Sequence, residues 1–136
     1  MRERAYLMEN DEEEYRLDIK TDRKAVEKQA LWAGIQPGMK VADVCCGSGK
    51  TTSILYDLVQ PGGTAIGIDG SEKRLGYGRR RYGKEGLVFT KMDILEPKRD
   101  IEPFDFVWVR FVLEYYRSQS FELVKNFSDM VKPGGV

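Results

Sequence analysis

The stretch VADVCCGSGKTT, residues 41–52, joins a short apolar segment to a glycine-containing turn. An apolar run that enters such a turn is typical of a strand buried on both faces of a parallel sheet. After the turn, Ile54, Leu55 and Leu58 recur at helical spacing, and Pro61 ends the pattern. A buried strand, a glycine turn and a helix in this order predict a ligand-binding turn in an α/β sheet.

The same unit of strand and helix recurs along the chain. The predicted strands are 39–46, 64–69, 87–93 and 104–111, and the predicted helices are 22–35, 51–59, 72–82 and 120–131. The predicted inner stripe of the first helix is Val26, Ala30, Leu31 and Ala33. Because parallel neighbours need helical crossovers, the alternation predicts an α/β, doubly wound and mostly parallel sheet. Gly76 and Gly78 lie inside the third predicted helix, where glycine is unfavourable.

The length of 136 residues is that of one domain. Residues 1–20 are mostly charged and show no clear period, so we expect a charged N-terminal arm outside a domain of residues 21–136. Ligands of such sheets bind beyond the carboxyl ends of the strands. The residues at those ends are therefore the candidates for a functional site.

Composition limits the kinds of partner that the chain can have. Its 22 basic and 22 acidic residues balance, so no overall field would hold it on nucleic acid or on a membrane. The basic run at residues 79–81 is flanked by acidic residues, and we interpret it as a solvated helix face. No segment approaches the roughly 18 apolar residues of a membrane span, and the N-terminus is too charged for a secretory signal. We therefore expect a cytoplasmic protein without nucleic acid or membrane as a partner.

Histidine is absent from the sequence, and the only cysteines are the neighbours Cys45 and Cys46. The commonest general base and the commonest zinc ligand are therefore missing. Adjacent residues at a strand end point to opposite faces, which excludes a disulfide framework. We expect no metal site.

The glycine turn permits three interpretations. A triphosphate loop needs a glycine five positions before Gly49, but Val44 stands there. A nicotinamide dinucleotide turn fits better, because Gly47 and Gly49 follow a strand and Asp69 lies 20 residues beyond Gly49. In that fingerprint Thr52 stands in place of the third glycine, so the match is incomplete. An NAD-binding oxidoreductase domain stays open as an alternative.

The third interpretation uses more of the chain. VADVCCGSGKTT and GIDGS, residues 67–71, resemble the first and second motifs of the class I S-adenosylmethionine-dependent methyltransferases. KMDILE (91–96) resembles the family's segment beside the adenine, FDFVWVRFVLEYY (104–116) its fourth-strand motif, and MVKPGGV (130–136) its turn into a fifth strand. The matches follow in order over residues 39–136. The resemblance implies a Rossmann-like sheet with strand order 3-2-1-4, and S-adenosylmethionine as the cofactor.

The resemblance also implies which residues bind the cofactor. They are Asp43, Cys45, Gly47, Gly49, Asp69, Gly70, Met92, Asp93, Ile94, Val109 and Arg110. By this resemblance Asp69 accepts from the ribose hydroxyls, and Asp43 organises the turn and favours the cationic end of the cofactor. Gly47 and Gly49 permit a close approach of the backbone to the methionine moiety.

The ends of the third and fourth strands complete the implied site. Asp93 would lie near the adenine amino group, with Met92 and Ile94 on the faces of the ring. Arg110 follows a buried strand and needs a partner or solvent, which a ligand cleft supplies. Val109 is also a candidate for the core, since an interior strand is buried on both faces.

Three residues beyond the fourth strand are the candidates for catalysis, namely Glu114, Tyr115 and Tyr116. Methyl transfer needs a general base only if the acceptor loses its proton late, and without histidine Glu114 or a tyrosine would serve. The two tyrosines either line the acceptor pocket or pack against the core. We expect a small-molecule acceptor; a non-catalytic methyltransferase-like interaction module is the other alternative.

The sequence stops at KPGGV, where the resemblance calls for a fifth strand. We therefore expect the N-terminal portion of a longer methyltransferase, with the C-terminal strands of the family missing here. The other expectation is a homo-oligomer, in which an unpaired sheet edge is completed by a second copy.

Overall fold

The structure is a computed structural model, and it describes residues 19–97 and 100–136. The helices are α1 (Arg23–Ala33), α2 (Lys50–Leu58), α3 (Glu72–Tyr82) and α4 (Ser120–Asp129). The strands are β1 (Lys40–Val44), β2 (Thr64–Asp69), β3 (Leu87–Lys91) and β4 (Phe106–Val109). Two single-turn 3-10 helices, Leu113–Tyr115 and Arg117–Gln119, join β4 to α4. Almost all of the predicted arm, residues 1–20, lies outside the described residues.

The strands form one parallel sheet in the order β3-β2-β1-β4. This order confirms the predicted Rossmann-like arrangement, 3-2-1-4. In the register, Asp43 of β1 lies opposite Gly67 of β2 and Trp108 of β4. The carboxyl ends of the three strands therefore meet at one edge of the sheet, where the candidate site residues follow.

Each face of the sheet carries its own apolar cluster. The first cluster joins β1 to α1, α2 and α3 through Val41, Val26, Ala30, Ile54, Leu55 and Leu75. The second cluster joins the opposite face of the sheet to α4 through Ala42, Val44, Ile68, Leu123 and Phe127. Alternate residues of β1 belong to different clusters because successive strand side chains point to opposite faces. Helices on both faces confirm the doubly wound class.

Side chains cap the N-termini of two helices. The Ser71 side chain accepts from the Arg74 amide at the start of α3, and Asp22 accepts from the amides of Lys24 and Ala25 at the start of α1. These bonds satisfy amides that have no partner within the helix. The predicted limits of α3, residues 72–82, agree with the structure.

Gly78, one of the two glycines inside α3, is explained by packing. A Cβ at Gly78 would lie 3.0 Å from the ring of Phe89, a buried residue of β3. Gly67 of β2 and Gly49 of the turn approach the same ring, with Cβ positions 2.5 and 2.7 Å from it. Three glycines therefore make room for one phenyl ring.

Some sequence predictions about the elements are wrong: the first and third strands end at Val44 and Lys91 rather than at residues 46 and 93. Leu31, expected on the inner stripe of α1, is 57% exposed, because the buried face of the helix is centred on Val26 and Ala30. The fourth strand ends at Val109 rather than at residue 111, because the backbone of Phe111 has a φ of 58°. A left-handed residue cannot continue a strand.

The outer edge of β4 is hydrogen-bonded to the last residues of the chain. Val136 donates to the Asp105 carbonyl at 3.0 Å and accepts from the Val107 amide at 2.8 Å. One residue bonded to both neighbours of its partner is the pattern of a parallel ladder. The segment after α4 thus runs beside β4, as the predicted turn into a fifth strand requires, and part of that edge is occupied.

Within the described part of the chain, no helix combines the length and the apolar character that crossing a membrane requires.

Candidate functional site

The turn after β1 is built from left-handed residues. Cys45, Gly47 and Gly49 have φ values of 58°, 56° and 93°. The Cys46 amide donates to the Ile68 carbonyl of β2 at 3.0 Å, and the Gly49 amide donates to the Cys46 carbonyl at 3.1 Å. These bonds fix the turn against the end of β2 and lead it into α2.

Gly47 and Gly49 face different surroundings. A Cβ at Gly47 would meet nothing within 4 Å, whereas one at Gly49 would lie 2.7 Å from Phe89 and 3.2 Å from Tyr82. Gly49 is also buried, and Gly47 is half-buried. The open side of the turn is therefore at Gly47, where a ligand can approach the backbone, while Gly49 is required by interior packing.

Asp69, at the end of β2, holds the turn through its carboxylate. Oδ2 accepts from the Gly47 amide at 3.0 Å, and Oδ1 accepts from the Ser71 amide at 2.9 Å. Burial raises the pKa of Asp69, and the amides of Ser71, Gly47 and Gly70 counteract that rise. A carboxylate has about four acceptor sites, so Asp69 retains capacity for ligand hydroxyls. Gly70 beside it is exposed and has open space around its Cα.

Asp43 lies beneath the turn rather than on its open side. Its carboxylate is 3% exposed and accepts from the Thr52 hydroxyl at 2.7 Å. Burial raises the pKa of Asp43 to about 7; the Thr52 bond lowers it, Asp69 raises it and Arg110 lowers it. Asp43 therefore organises the turn by tying the end of β1 to the first turn of α2.

The two cysteines of the turn point to opposite sides of the sheet, as predicted. Cys46 packs in the first cluster and Cys45 against the second. Burial, together with the nearby carboxylates of Asp69 and Asp43, raises the pKa of Cys45 to about 12. Cys45 is therefore a neutral thiol beside the site, and not a nucleophile.

At the end of β3 the predicted residues separate into two environments. Asp93 is exposed, and its Oδ1 accepts from the Leu95 amide at 2.9 Å. Met92 and Ile94 are only 5% and 6% exposed and pack in the second cluster. The Met92 amide donates to the Asp69 carbonyl at 3.1 Å, which fixes the end of β3 beside the end of β2.

The end of β4 brings a cation to the cleft. The Arg110 guanidinium lies 4.8 Å from the centre of the Phe111 ring and is close enough to Asp43 to lower the pKa of that carboxyl. Val109, just before it, is half-buried against the second cluster. Trp108 is half-buried as well and stacks on Phe106, with ring centres 6.4 Å apart.

The three candidates for catalysis differ in exposure. Glu114 and Tyr115 are exposed, Tyr115 by 42%. Tyr116 is half-buried and packs against the second cluster. Of the three, Glu114 and Tyr115 are therefore the ones that a bound acceptor can reach without moving the core.

Sequence reasoning missed two residues of this region. Thr52 appeared only as a replacement for a glycine, although it is the hydrogen-bond donor to Asp43. Phe111 appeared as the last residue of a strand, although it is a left-handed, 71% exposed aromatic. The available sequence signal for Phe111 was its position as an apolar residue directly after the charged Arg110.

Comparisons with known proteins agree with this geometry. Residues 41–135 match the family model described as a methyltransferase domain. A demethylmenaquinone methyltransferase of Staphylococcus aureus (strain JH9) is 34% identical over 115 residues, which are 84% of this chain and 46% of the relative. The chain thus spans about half the length of the curated relatives that it matches.

Solved structures share the fold. A chain in the complex between the Haloferax volcanii Trm112 methyltransferase activator and a methyltransferase aligns with a TM-score of 0.75 and 24% identity, over 92% of this chain and 54% of that one. A methyltransferase from Thiobacillus denitrificans, in complex with S-adenosyl-L-homocysteine, aligns with a TM-score of 0.65 and 18% identity, over 82% of this chain and 45% of that one.

The family model covers most of the chain, and the sheet order and the motifs at the strand ends agree with it. The chain therefore belongs to the methyltransferase domain family, within the class I S-adenosylmethionine-dependent methyltransferases that its motifs resemble.

Proposed function

We propose that the protein is an S-adenosylmethionine-dependent methyltransferase that acts on a small-molecule acceptor. The observation that carries the proposal is a pair of neighbouring features at the sheet edge. Gly47 opens the turn to a ligand, and the Asp69 carboxylate, 3.0 Å from the Gly47 amide, lies beside that opening. Membership of the methyltransferase domain family supports the same function.

The charges of the site fit this cofactor better than a phosphorylated one. Two acids, Asp43 and Asp69, lie beside the turn that leads into α2. Helix N-termini favour anions, but Asp43 beneath the turn is partly charged near pH 7 and disfavours a pyrophosphate or a triphosphate above it. Asp69 suits the ribose of either cofactor. S-adenosylmethionine has no phosphate and carries a positive sulfonium. The site therefore fits an NAD-dependent oxidoreductase less well than a methyltransferase.

Three residues of the site have definite roles in this proposal. Asp69 accepts from the ribose hydroxyls while it holds the turn. Gly47 allows the backbone to approach the methionine moiety, and Asp93, exposed just beyond β3, is the acid for the adenine amino group. When bound, the cofactor supplies a methyl group on a sulfonium leaving group, so that the chain needs mainly to align the acceptor and to exclude water.

A proton acceptor is available if the acceptor needs one. Glu114 is exposed just beyond β4, and its carboxylate can take a proton from an oxygen or carbon acid during transfer. Tyr115 is exposed beside it and can orient the acceptor by a hydrogen bond.

The small size of the acceptor is supported by the relative from Staphylococcus aureus, which is named as acting on demethylmenaquinone. Because its basic and acidic residues balance, this chain has no general attraction for a polyanion such as RNA. The exposed arginines at residues 79–81 lie on α3, and Arg79 pairs with Glu72 of the same helix.

The cofactor is tested by thermal unfolding with S-adenosylhomocysteine, NAD and Mg-ATP in parallel. We expect the first compound alone to raise the unfolding temperature, because binding to the folded state stabilises it. Asp69→Ala should abolish the shift, while Asp129→Ala, a change at an exposed acid at the end of α4, should retain it. A response to NAD alone would favour the oxidoreductase, and no response to any compound would favour a non-catalytic module.

We also propose a cytoplasmic location. The cofactor turn contains two free thiols, Cys45 and Cys46, and the cytoplasm is a reducing compartment that preserves thiols. Fractionation of cells that express a tagged chain tests the location; recovery from an oxidising compartment would contradict it.

Association of two copies is a further proposal, and it concerns the outer edge of β3. This strand ends the sheet on the side away from β4, and its Val88 is 52% exposed. Exposed edges of this kind pair with other strands. A solution mass of one chain would exclude the pairing, and a Val88→Lys change should dissociate a dimer.

A further inference from the structure

Two residues other than glycine have a left-handed backbone within residues 19–97 and 100–136. They are Cys45 and Phe111, and both have a φ of 58°. Cys45 follows β1 and Phe111 follows β4, and these strands are neighbours in the sheet. Such backbone strain is concentrated at functional sites. Cys45 belongs to the cofactor turn, and Phe111 has no role in the function proposed above.

The side chain of Phe111 has a second unfavourable feature. It is 71% exposed, although a phenyl ring gains free energy when it leaves water. Its neighbour in sequence, Val112, is 6% exposed and packs in the second cluster. Valine is therefore the buried residue of this pair, and the larger phenyl ring lies at the surface.

Arg110 contacts that ring. Its guanidinium lies 4.8 Å from the centre of the Phe111 ring, a distance at which a cation is attracted to a ring face. The same guanidinium is within electrostatic range of Asp43 beneath the cofactor turn. One face of the phenyl ring is thus covered by Arg110, and the exposed part of the ring is available to a ligand.

We propose that Phe111 determines acceptor specificity, and that its exposed ring forms a stacking wall for an acceptor with a planar aromatic ring. The inference rests on the proposed methyltransferase function. Aromatic rings in offset or edge-to-face contact attract each other by more than the area that they bury accounts for. A ring already held by Arg110 loses little freedom when an acceptor binds, and this pre-organisation favours binding.

The test compares 1-naphthol with its saturated counterpart 1-decalol, by calorimetry on the protein saturated with S-adenosylhomocysteine. Phe111→Leu keeps an apolar side chain but removes the ring, and it should lower the preference for 1-naphthol by about 3- to 10-fold. Phe111→Tyr should retain the preference. Phe121→Leu is the matched control, since Phe121 is an 88% exposed phenylalanine on α4, and it too should retain the preference.

A second variant separates the ring from the backbone. Phe111→Asn removes the ring, and asparagine accepts the left-handed conformation, so the same loss of preference is expected in a stable protein. An unchanged preference in Phe111→Leu overturns the inference, as does a wild-type protein that binds neither compound. If both ring-deleted variants lose S-adenosylhomocysteine, Phe111 is a structural residue and the inference also fails. Failure of the wild-type protein to bind S-adenosylhomocysteine contradicts the proposed function instead.

Discussion

The Thr52 hydroxyl donates a hydrogen bond of 2.7 Å to the Asp43 carboxylate, and both side chains are buried. The bond joins the end of β1 to the first turn of α2. The glycine turn between these elements is therefore held at both of its ends, and its open side at Gly47 has a fixed position relative to Asp69.

The buried acid makes stability depend on pH. Burial raises the pKa of Asp43 to about 7 in the folded state, above about 3.9 in the unfolded chain. The folded state therefore binds a proton that the unfolded state releases. This contribution to stability is complete below pH 3.9 or so and is lost as the pH rises through about 7.

Urea unfolding at pH 5 and pH 8 measures the effect against Asp43→Asn, which cannot titrate. Between these two pH values the wild type should lose about 1–3 kcal/mol more than the variant. Equal pH dependence in both proteins would mean that Asp43 titrates normally.

Replacing the donor to this acid should destabilise the fold. Thr52→Val keeps the shape of the side chain but leaves the Asp43 carboxylate without its hydroxyl partner, at a cost of about 1–3 kcal/mol. Thr52→Ser retains a hydroxyl and should cost less. Urea unfolding at pH 8 compares the two, and a loss in Thr52→Val no larger than that in Thr52→Ser would contradict the assigned role of the hydroxyl.

The two glycines of the turn should respond differently to alanine. Gly47→Ala adds a methyl group on the open side, so the protein should fold, with a loss of about 1–2 kcal/mol from the left-handed backbone, and bind S-adenosylhomocysteine weakly. Gly49→Ala forces a methyl group to within 2.7 Å of Phe89 and should lower stability by several kcal/mol. Thermal unfolding with and without the ligand separates the effects; full binding by Gly47→Ala would contradict the assigned open side.

Alanine at two other glycines should change stability in opposite directions. A Cβ at Gly67 lies 2.5 Å from the Phe89 ring, whereas one at Gly76 meets only the flexible end of Arg80 at 3.2 Å. Gly67→Ala should cost about 1–3 kcal/mol through overpacking, and Gly76→Ala should gain about 0.5–1 kcal/mol of helix stability. Denaturant unfolding gives both values. Adding Phe89→Leu to Gly67→Ala should recover part of the loss, and strict additivity would show that the ring is not the obstacle.

Local patterns were sufficient to predict much of this fold. Apolar runs and turn residues located the strands. A helix between each pair of successive strands predicted a parallel sheet, because parallel neighbours need helical crossovers. Asp69 was predicted because the end of a strand is set by neighbouring residues. The acids at successive strand ends were predicted to share one edge, since parallel strands carry their carboxyl ends to the same side.

Features that depend on distant contacts were not predictable. Gly78 appeared only as a weak point in a helix, because its reason is the Phe89 ring of the following strand. Leu31 has the spacing of a buried residue, and its exposure depends on how α1 is rotated against the sheet. The left-handed backbone of Phe111 depends on the path from β4 into the 3-10 turns, which no local sequence pattern specifies.

The enclosure of Phe89 by Gly49, Gly67 and Gly78 has a consequence for how such chains diverge. The three glycines come from the cofactor turn, a strand and a helix, yet the size of residue 89 constrains all of them together. We expect related sequences with a smaller residue at this place to admit alanine at one or more of the glycine positions. Positions 49, 67, 78 and 89 should therefore vary as a group, and a buried residue of β3 would set which side chains the binding turn accepts.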